Sequence, residues 1–312
     1  MEGPMKRKLL LFCLFPLFLF LLMFPGEALC ASRNGLKLWL ETLIPTLLPF
    51  LILTEILIHT DGITKIVHPV APFFKVIFGL SPEGIYVFLI GLLCGYPMGA
   101  KLAADFYTKG RLSRQEANYL LTFSNNPSPA FLVSYVWGIC LQREVGLNLI
   151  VGILFLTNMM VMLFFRFLVF HNGKERPVYG KKTLASSRQL QHGNILDEAI
   201  MNGFSTIERL GGYILLFSIT SALVSHFWPL SDVLKTIILG TLELTTGLYQ
   251  IADSPFSLKY QMICSMSMSA FGGLCIMAQT KSVLGKDLSF PLYASAKCMN
   301  AVLTAILILI LW

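Results

Sequence analysis

Residues 84 to 104 read GIYVFLIGLLCGYPMGAKLAA, an apolar stretch long enough to enter a bilayer but interrupted at its middle by Cys94-Gly95-Tyr96-Pro97-Met98-Gly99. Glycine costs a helix interior about 1 kcal/mol and proline about 3. A freed backbone amide in lipid costs several more unless something satisfies it. The break therefore belongs where protein or a polar cavity surrounds it, as a kinked span or as a re-entrant hairpin. Residues 236 to 252 (TIILGTLELTTGLYQIA) pose the same choice, because Glu243-Leu244-Thr245-Thr246-Gly247 interrupts them.

Charge decides between the two. Apolar stretches that read as full spans cover 9 to 25, 38 to 58, 118 to 140, 145 to 169, 204 to 227, 258 to 280 and 290 to 311. Lys174, Arg176, Lys181, Lys182 and Arg188 against one Glu175 make the segment after Phe170 a cytoplasmic loop, as does Lys6-Arg7-Lys8 for the N-terminus. Lys109, Arg111 and Arg114 carry the same signature, yet a full crossing by 84 to 104 would place them outside. A re-entrant hairpin restores every basic loop to one side. The same count puts the 236 to 252 hairpin on the opposite side, with Lys281 and Lys286 inside. The expected fold is thus an all-α polytopic membrane protein with inverted repeats, re-entrant hairpins and broken transmembrane helices. Its expected parts are an N-terminal hydrophobic span at 1–32, a first repeat at 33–170, a basic cytoplasmic loop at 171–194 and a second, inverted repeat at 195–312.

Composition agrees with a bilayer as solvent. Of 312 residues, 55% are hydrophobic and 13% charged, with mean hydropathy +0.70, where soluble domains carry about 25% charged residues. The net charge of +7 lies in short inter-helix segments rather than along one helix face, so it marks topology and not nucleic-acid binding. The seven cysteines have no metal-ligand spacing and read as small buried apolar residues. The start, basic residues then Leu9 to Phe24 then Pro25-Gly26-Glu27-Ala28-Leu29-Cys30-Ala31, fits a retained signal anchor or a cleaved signal peptide.

An ionisable group within the hydrocarbon layer costs at least about 2.5 to 3.5 kcal/mol and is a functional candidate by default. Lys101 is such a group, and Glu55, Glu208, Arg209, Glu243 and Lys297 are expected to serve ion coupling or structural pairing. The segment Ser124-Asn125-Asn126-Pro127-Ser128-Pro129 removes two amide donors and supplies amide and hydroxyl groups. A half-helix beginning after it aims free amides at the midplane, which suits an anion. Gly95-Tyr96-Pro97 with Lys101 beyond has the same logic: close backbone approach, an aromatic face with a hydroxyl, and a mobile positive charge. Met268-Ser269-Ala270-Phe271-Gly272-Gly273-Leu274 echoes the first break in the second half, so Thr246, Gly272 and Gly273 extend the expected substrate site. No nucleophile and base pair, HExxH, Walker loop or metal cluster is present, so the sequence points to no enzyme, cofactor or metal site.

Those segments, together with Arg33-Asn34-Gly35-Leu36-Lys37-Leu38-Trp39-Leu40 and Leu43-Ile44-Pro45, Gly211-Gly212-Tyr213, Leu242-Glu243-Leu244-Thr245-Thr246-Gly247, and Gln279 after Ala270-Phe271-Gly272-Gly273-Leu274, resemble the YlbJ/SpoVV family of sporulation integral membrane proteins, which carries a nucleoside recognition or Gate domain, and the resemblance adds Gln279 to the expected substrate site. The resemblance runs from about residue 33 to 280. It implies movement of dipicolinic acid across the outer forespore membrane, and its Gate segments are similar to those of concentrative nucleoside transporters. A small-molecule anion, the lipid bilayer and a homo-oligomer are the partners it leaves in view. Three functions remain open: a small-anion transporter, a nucleoside-type transporter, and a nontransporting subunit of a larger membrane complex.

Overall fold

The structure, a computed structural model, describes residues 4–60, 65, 67–170, 195–229 and 231–312. The basic segment expected at 171–194 lies outside the described residues. Among the described residues every regular element is helical.

Each half of the chain runs through four corresponding elements, and the first half adds a short helix, Ala71–Phe78, ahead of its hairpin. The first half has a helical run Pro25–Leu38, Trp39–Leu43 and Ile44–His59, then a hairpin, a broken helix and the helix Leu147–Val169. The second has Ile195–His226, a hairpin, a broken helix and Phe290–Leu311. The expected span at 38 to 58 is thus the second part of a longer run. Pro25 starts that run because the first helical position has no use for the amide proton proline lacks. The preceding helix, Pro4–Met23, meets it at 111° and packs through Phe20 against Ala28 and Ile219.

Both apolar stretches with central breaks are hairpins. The first has legs Pro82–Cys94 and Met98–Thr108, the second Asp232–Leu242 and Leu244–Ala252. Each pair of legs crosses at two glycines that flank the break. A Cβ on Gly91 would lie 2.9 Å from the Gly99 Cα, and one on Gly247 would collide with the Gly240 Cα. Small residues let the legs touch backbone to backbone, the usual device where lipid offers no hydrophobic drive to bring helices together. The first hairpin begins and ends at one level, because the Ser81 amide donates to Glu116 Oε1 at 2.7 Å, beside the Ser113 cap of the next helix.

The first broken helix is Arg114–Leu121, then an irregular passage, then Pro129–Cys140. The second is Leu258–Phe271 and Gly273–Val283, parted at Gly272 and Gly273. Their φ values of +92° and +81° lie in the left-handed region that glycine enters without steric cost.

Contacts fix which loops share an end. Lys109 pairs with Glu55 at 2.6 Å, Arg114 donates to the Asp287 carbonyl at 2.8 Å, and Arg166 donates to the Val76 carbonyl at 3.2 Å. The basic residues of the first hairpin, of the Leu147–Val169 helix and of the segment before Phe290 therefore gather at one end. At the other, His226 pairs with Glu27 at 2.9 Å. Tyr249 and Gln250 of the second hairpin line a cavity with Glu27 and Ser225 at that same end. The helix Ile195–His226 is about 48 Å long at 1.5 Å per residue, enough to join the two ends.

This arrangement makes a labelling prediction. In a cysteine-free background, single cysteines at Lys109 and Lys286 should react with an impermeant maleimide from the same side of the membrane, and one at Asp253 from the opposite side. Reaction of 109 and 286 from different sides would remove the re-entrant hairpin and with it the inverted repeat.

The run Pro25–His59 seats along Ile195–His226. Gly211 makes room for the Trp39 ring, whose Nε1 donates to the Ile207 carbonyl at 2.9 Å, and Gly35 sits against Ser218. Leu258–Phe271 packs along Phe290–Leu311, which in turn touches Leu147–Phe164.

Candidate functional site

The prolines of the first break create the demand that organises the centre. Pro127 lacks the amide proton that the Phe123 carbonyl would take four residues on, and Pro129 lacks the one for Asn125. Side chains answer both. The Phe123 carbonyl accepts from Asn126 Nδ2 at 2.7 Å and from Asn158 Nδ2 at 3.0 Å. The Asn125 carbonyl accepts from Lys297 Nζ at 2.9 Å.

Lys297, 1% exposed, reaches across from the last helix. It also donates to Asn126 Oδ1 and to the Tyr96 hydroxyl, each at 3.2 Å, and its nitrogen lies 4.9 Å from the Tyr96 ring centre. Three acceptors match the three donors of an ammonium, and the ring face adds cation–π attraction. Tyr96 passes the connection on by donating to the Ser269 carbonyl at 2.6 Å, four residues before Gly273 in the second break. Its ring also lies against Gly272. One side chain from each half therefore holds a loose carbonyl of the opposite half.

A cavity of about 410 Å³ lies beside this knot, lined by Tyr96, Ser128, Tyr135, Glu243, Thr245 and Gln279 over an apolar wall that includes Leu47 and Ile214. Two helices start at its edge, at Pro129 and Leu244, and the helix from Gly273 adds Cys275, Ile276 and Gln279 to the wall. Each helix start acts as roughly half a positive charge. Glu243, 6% exposed, caps the Leu244 helix. It accepts from the Thr245 and Thr246 amides at 3.0 and 2.8 Å and from their hydroxyls at 2.6 and 2.7 Å. Tyr135, Glu243 and Thr245 also line a second cavity of about 680 Å³ with Asn34, Ser218 and Gln250, which carries the space toward the Glu27–His226 end.

The residues expected at the site divide in two. Gly95 packs against Ser128, and Gly91 and Gly99 receive the Ser124 backbone, so the first hairpin tip and the first break do meet. Gly273 packs against Thr241 and Leu244, joining the second tip to the second break. Pro97 precedes the Met98–Thr108 leg across a cis peptide bond with Tyr96. Tyr96, Ser128 and Gln279 line the cavity, and Thr246 lines its extension. Asn125 Nδ2 donates to Tyr293 at 3.0 Å and Thr280 at 3.3 Å.

Lys101 corrects the expectation. It does not line the cavity; its ammonium is paired at 2.5 Å with Asp105, one helical turn on. Lys297, grouped by sequence with the structural or coupling charges, is the cation at the centre. Glu55 is tied to Lys109 and lies 3.4 Å from His59 at the end of its helix. Glu208 and Arg209 are exposed on the long helix, Arg209 donating to the Ser282 carbonyl at 3.4 Å. Asn158, Thr280, Tyr293 and Tyr135 were not singled out. Asn158 carried a readable signal, an amide in the middle of an apolar span.

Paired hairpins of opposite entry, two broken helices and a cavity where their tips meet define a polytopic all-α membrane protein of the broken-helix class. Residues 40–176 match the Gate family, described as nucleoside recognition. The chain is 30% identical over 325 residues to the sporulation integral membrane protein YlbJ of Bacillus subtilis (strain 168), an alignment covering 92% of this chain and 78% of that protein. It belongs to the YlbJ family. No solved structure matches it.

Proposed function

We propose that this protein is a transporter of a small organic anion, dipicolinic acid, across the outer forespore membrane during sporulation. The observation that carries the reading is the cavity between the two hairpin tips, beside which the helices from Pro129 and Leu244 begin. The helix starts beside it aim their positive ends at the cavity, and the Lys297 amine lies behind Tyr96. The aromatic lining from Tyr96, Phe131 and Tyr135 suits a flat ring, and dipicolinate is a planar aromatic dicarboxylate. Sporulation in the name of the Bacillus subtilis relative supports the setting.

A nucleoside-type substrate is the second reading, favoured by Glu243 and Gln279 on the cavity wall, which offer an acceptor and an amide to neutral sugar and base groups. Uptake of labelled dipicolinate and uridine into proteoliposomes, measured side by side, separates the two. Dipicolinate uptake well above empty liposomes, with uridine at background, is expected. The reverse pattern overturns the anion reading. Lys101→Ala should leave dipicolinate uptake within a few-fold of the parent, since Lys101 pairs with Asp105 and does not line the cavity.

A further inference from the structure

The oxygens around Lys297 come from two different elements of the fold. Tyr96 belongs to the tip of the first hairpin, whereas the Asn125 carbonyl and Asn126 Oδ1 belong to the unwound stretch of the first broken helix. The Asn125 carbonyl is free to accept because Pro129 cannot donate to it. No Asp or Glu among the described residues lies within ion-pair distance of the ammonium, so the charge is held by neutral oxygens and an aromatic face alone.

Neutral oxygens of an unwound helix, gathered on one monovalent charge, are also how broken-helix carriers hold an exchangeable Na⁺. Here that place is filled by a charge covalently attached to the chain. A tethered ammonium joins the hairpin tip to the broken helix, and its Nζ occupies the point that the three oxygens share.

We infer that Lys297 is a built-in cation that takes the place of an exchangeable coupling ion at the joint between the first hairpin and the first broken helix, so that this protein needs no Na⁺ there. The inference rests on the transport reading for its consequence, but the joint itself is testable without transport.

The first measurement is the melting temperature of the purified full chain in detergent, in NaCl against N-methyl-D-glucamine chloride at equal ionic strength. The parent protein should melt at the same temperature in both. Lys297→Ala opens a space the size of a small cation among three oxygens. It should melt lower in N-methyl-D-glucamine and recover part of the loss in Na⁺ or ethylammonium. Lys297→Met fills the space with an apolar chain, and should melt lower than the parent with no response to either ion. A Na⁺-dependent melting temperature in the parent overturns the inference, as does a Lys297→Met protein that gains stability from Na⁺. If Lys297→Ala does not fold in any salt, the parent and the methionine variant still decide. In proteoliposomes, parent dipicolinate uptake should be the same with and without Na⁺, and uptake that collapses without Na⁺ overturns the inference. Parent vesicles that take up neither dipicolinate nor uridine count against the transport reading alone, because the melting experiment stands apart from it.

Discussion

Gly247→Val should leave almost no folded protein. A Cβ at this position runs into the Gly240 Cα on the facing leg of the second hairpin, and the atom it meets is backbone, which cannot rotate aside. Overpacking a core ordinarily costs about 1 to 3 kcal/mol because side chains shift to absorb it. Here the legs themselves must part, which breaks the contact of Gly273 with Thr241 and Leu244 as well. Against a total stability of about 5 to 15 kcal/mol, that is enough to unfold the second half. Gly99→Ala should do similar harm in the first half, since its Cβ collides with the Ser124 carbonyl. Gly212→Ala is the control: nothing lies within 4 Å of the added carbon, and alanine is better in a helix by about 0.5 to 1 kcal/mol. Fluorescence-detected size exclusion and thermal melts of the three variants are the measurement. A Gly247→Val protein that elutes and melts like the parent would show that the legs do not cross at these glycines.

The hairpins were legible before the structure because two local facts agreed: residues that break helices sat inside apolar stretches, and Lys109, Arg111 and Arg114 fell on the wrong side unless one stretch turned back. The glycine pairs flanking each break were visible too, as Gly91 with Gly99 and Gly240 with Gly247, but their meaning depends on the legs folding face to face. Lys101 was misread for a reason the sequence does contain. Asp105 stands four residues on, the spacing at which opposite charges on a helix find one another. Lys297 is different in kind. Its partners Tyr96, Asn125 and Asn126 lie some 170 to 200 positions away in the chain, and only the packing of Phe290–Leu311 into the centre brings them together. Proline spacing announces which carbonyls are orphaned; it does not say which side chain will reach them.

Glu243 offers the sharpest division between the two substrate classes, because it is the carboxylate on the cavity wall and also the cap of a helix that starts there. Glu243→Ala removes the acceptor for two amides and two hydroxyls at a buried position. Losing a cap costs about 0.5 to 2 kcal/mol, and each buried donor left unmatched about 1 to 3 more, so the second hairpin tip should loosen and uptake of any substrate should fall to background. Glu243→Gln keeps an acceptor for the amides while deleting the charge, and here the readings part. For an anion held about 8 Å from the carboxylate at an effective dielectric of about 20, removing the repulsion is worth about 2 kcal/mol, roughly thirtyfold in affinity. Some of that gain is lost to the weaker cap, so dipicolinate should bind Glu243→Gln at least as tightly as the parent, read by titration calorimetry or by KM for uptake. A nucleoside that donates a hydroxyl to the carboxylate should instead bind more weakly, since a hydrogen bond to a charged acceptor contributes about 1.5 to 3 kcal/mol. A tenfold loss of dipicolinate affinity in Glu243→Gln, with the protein folded, would mean that the carboxylate touches the substrate directly and that the cavity is not built for an anion.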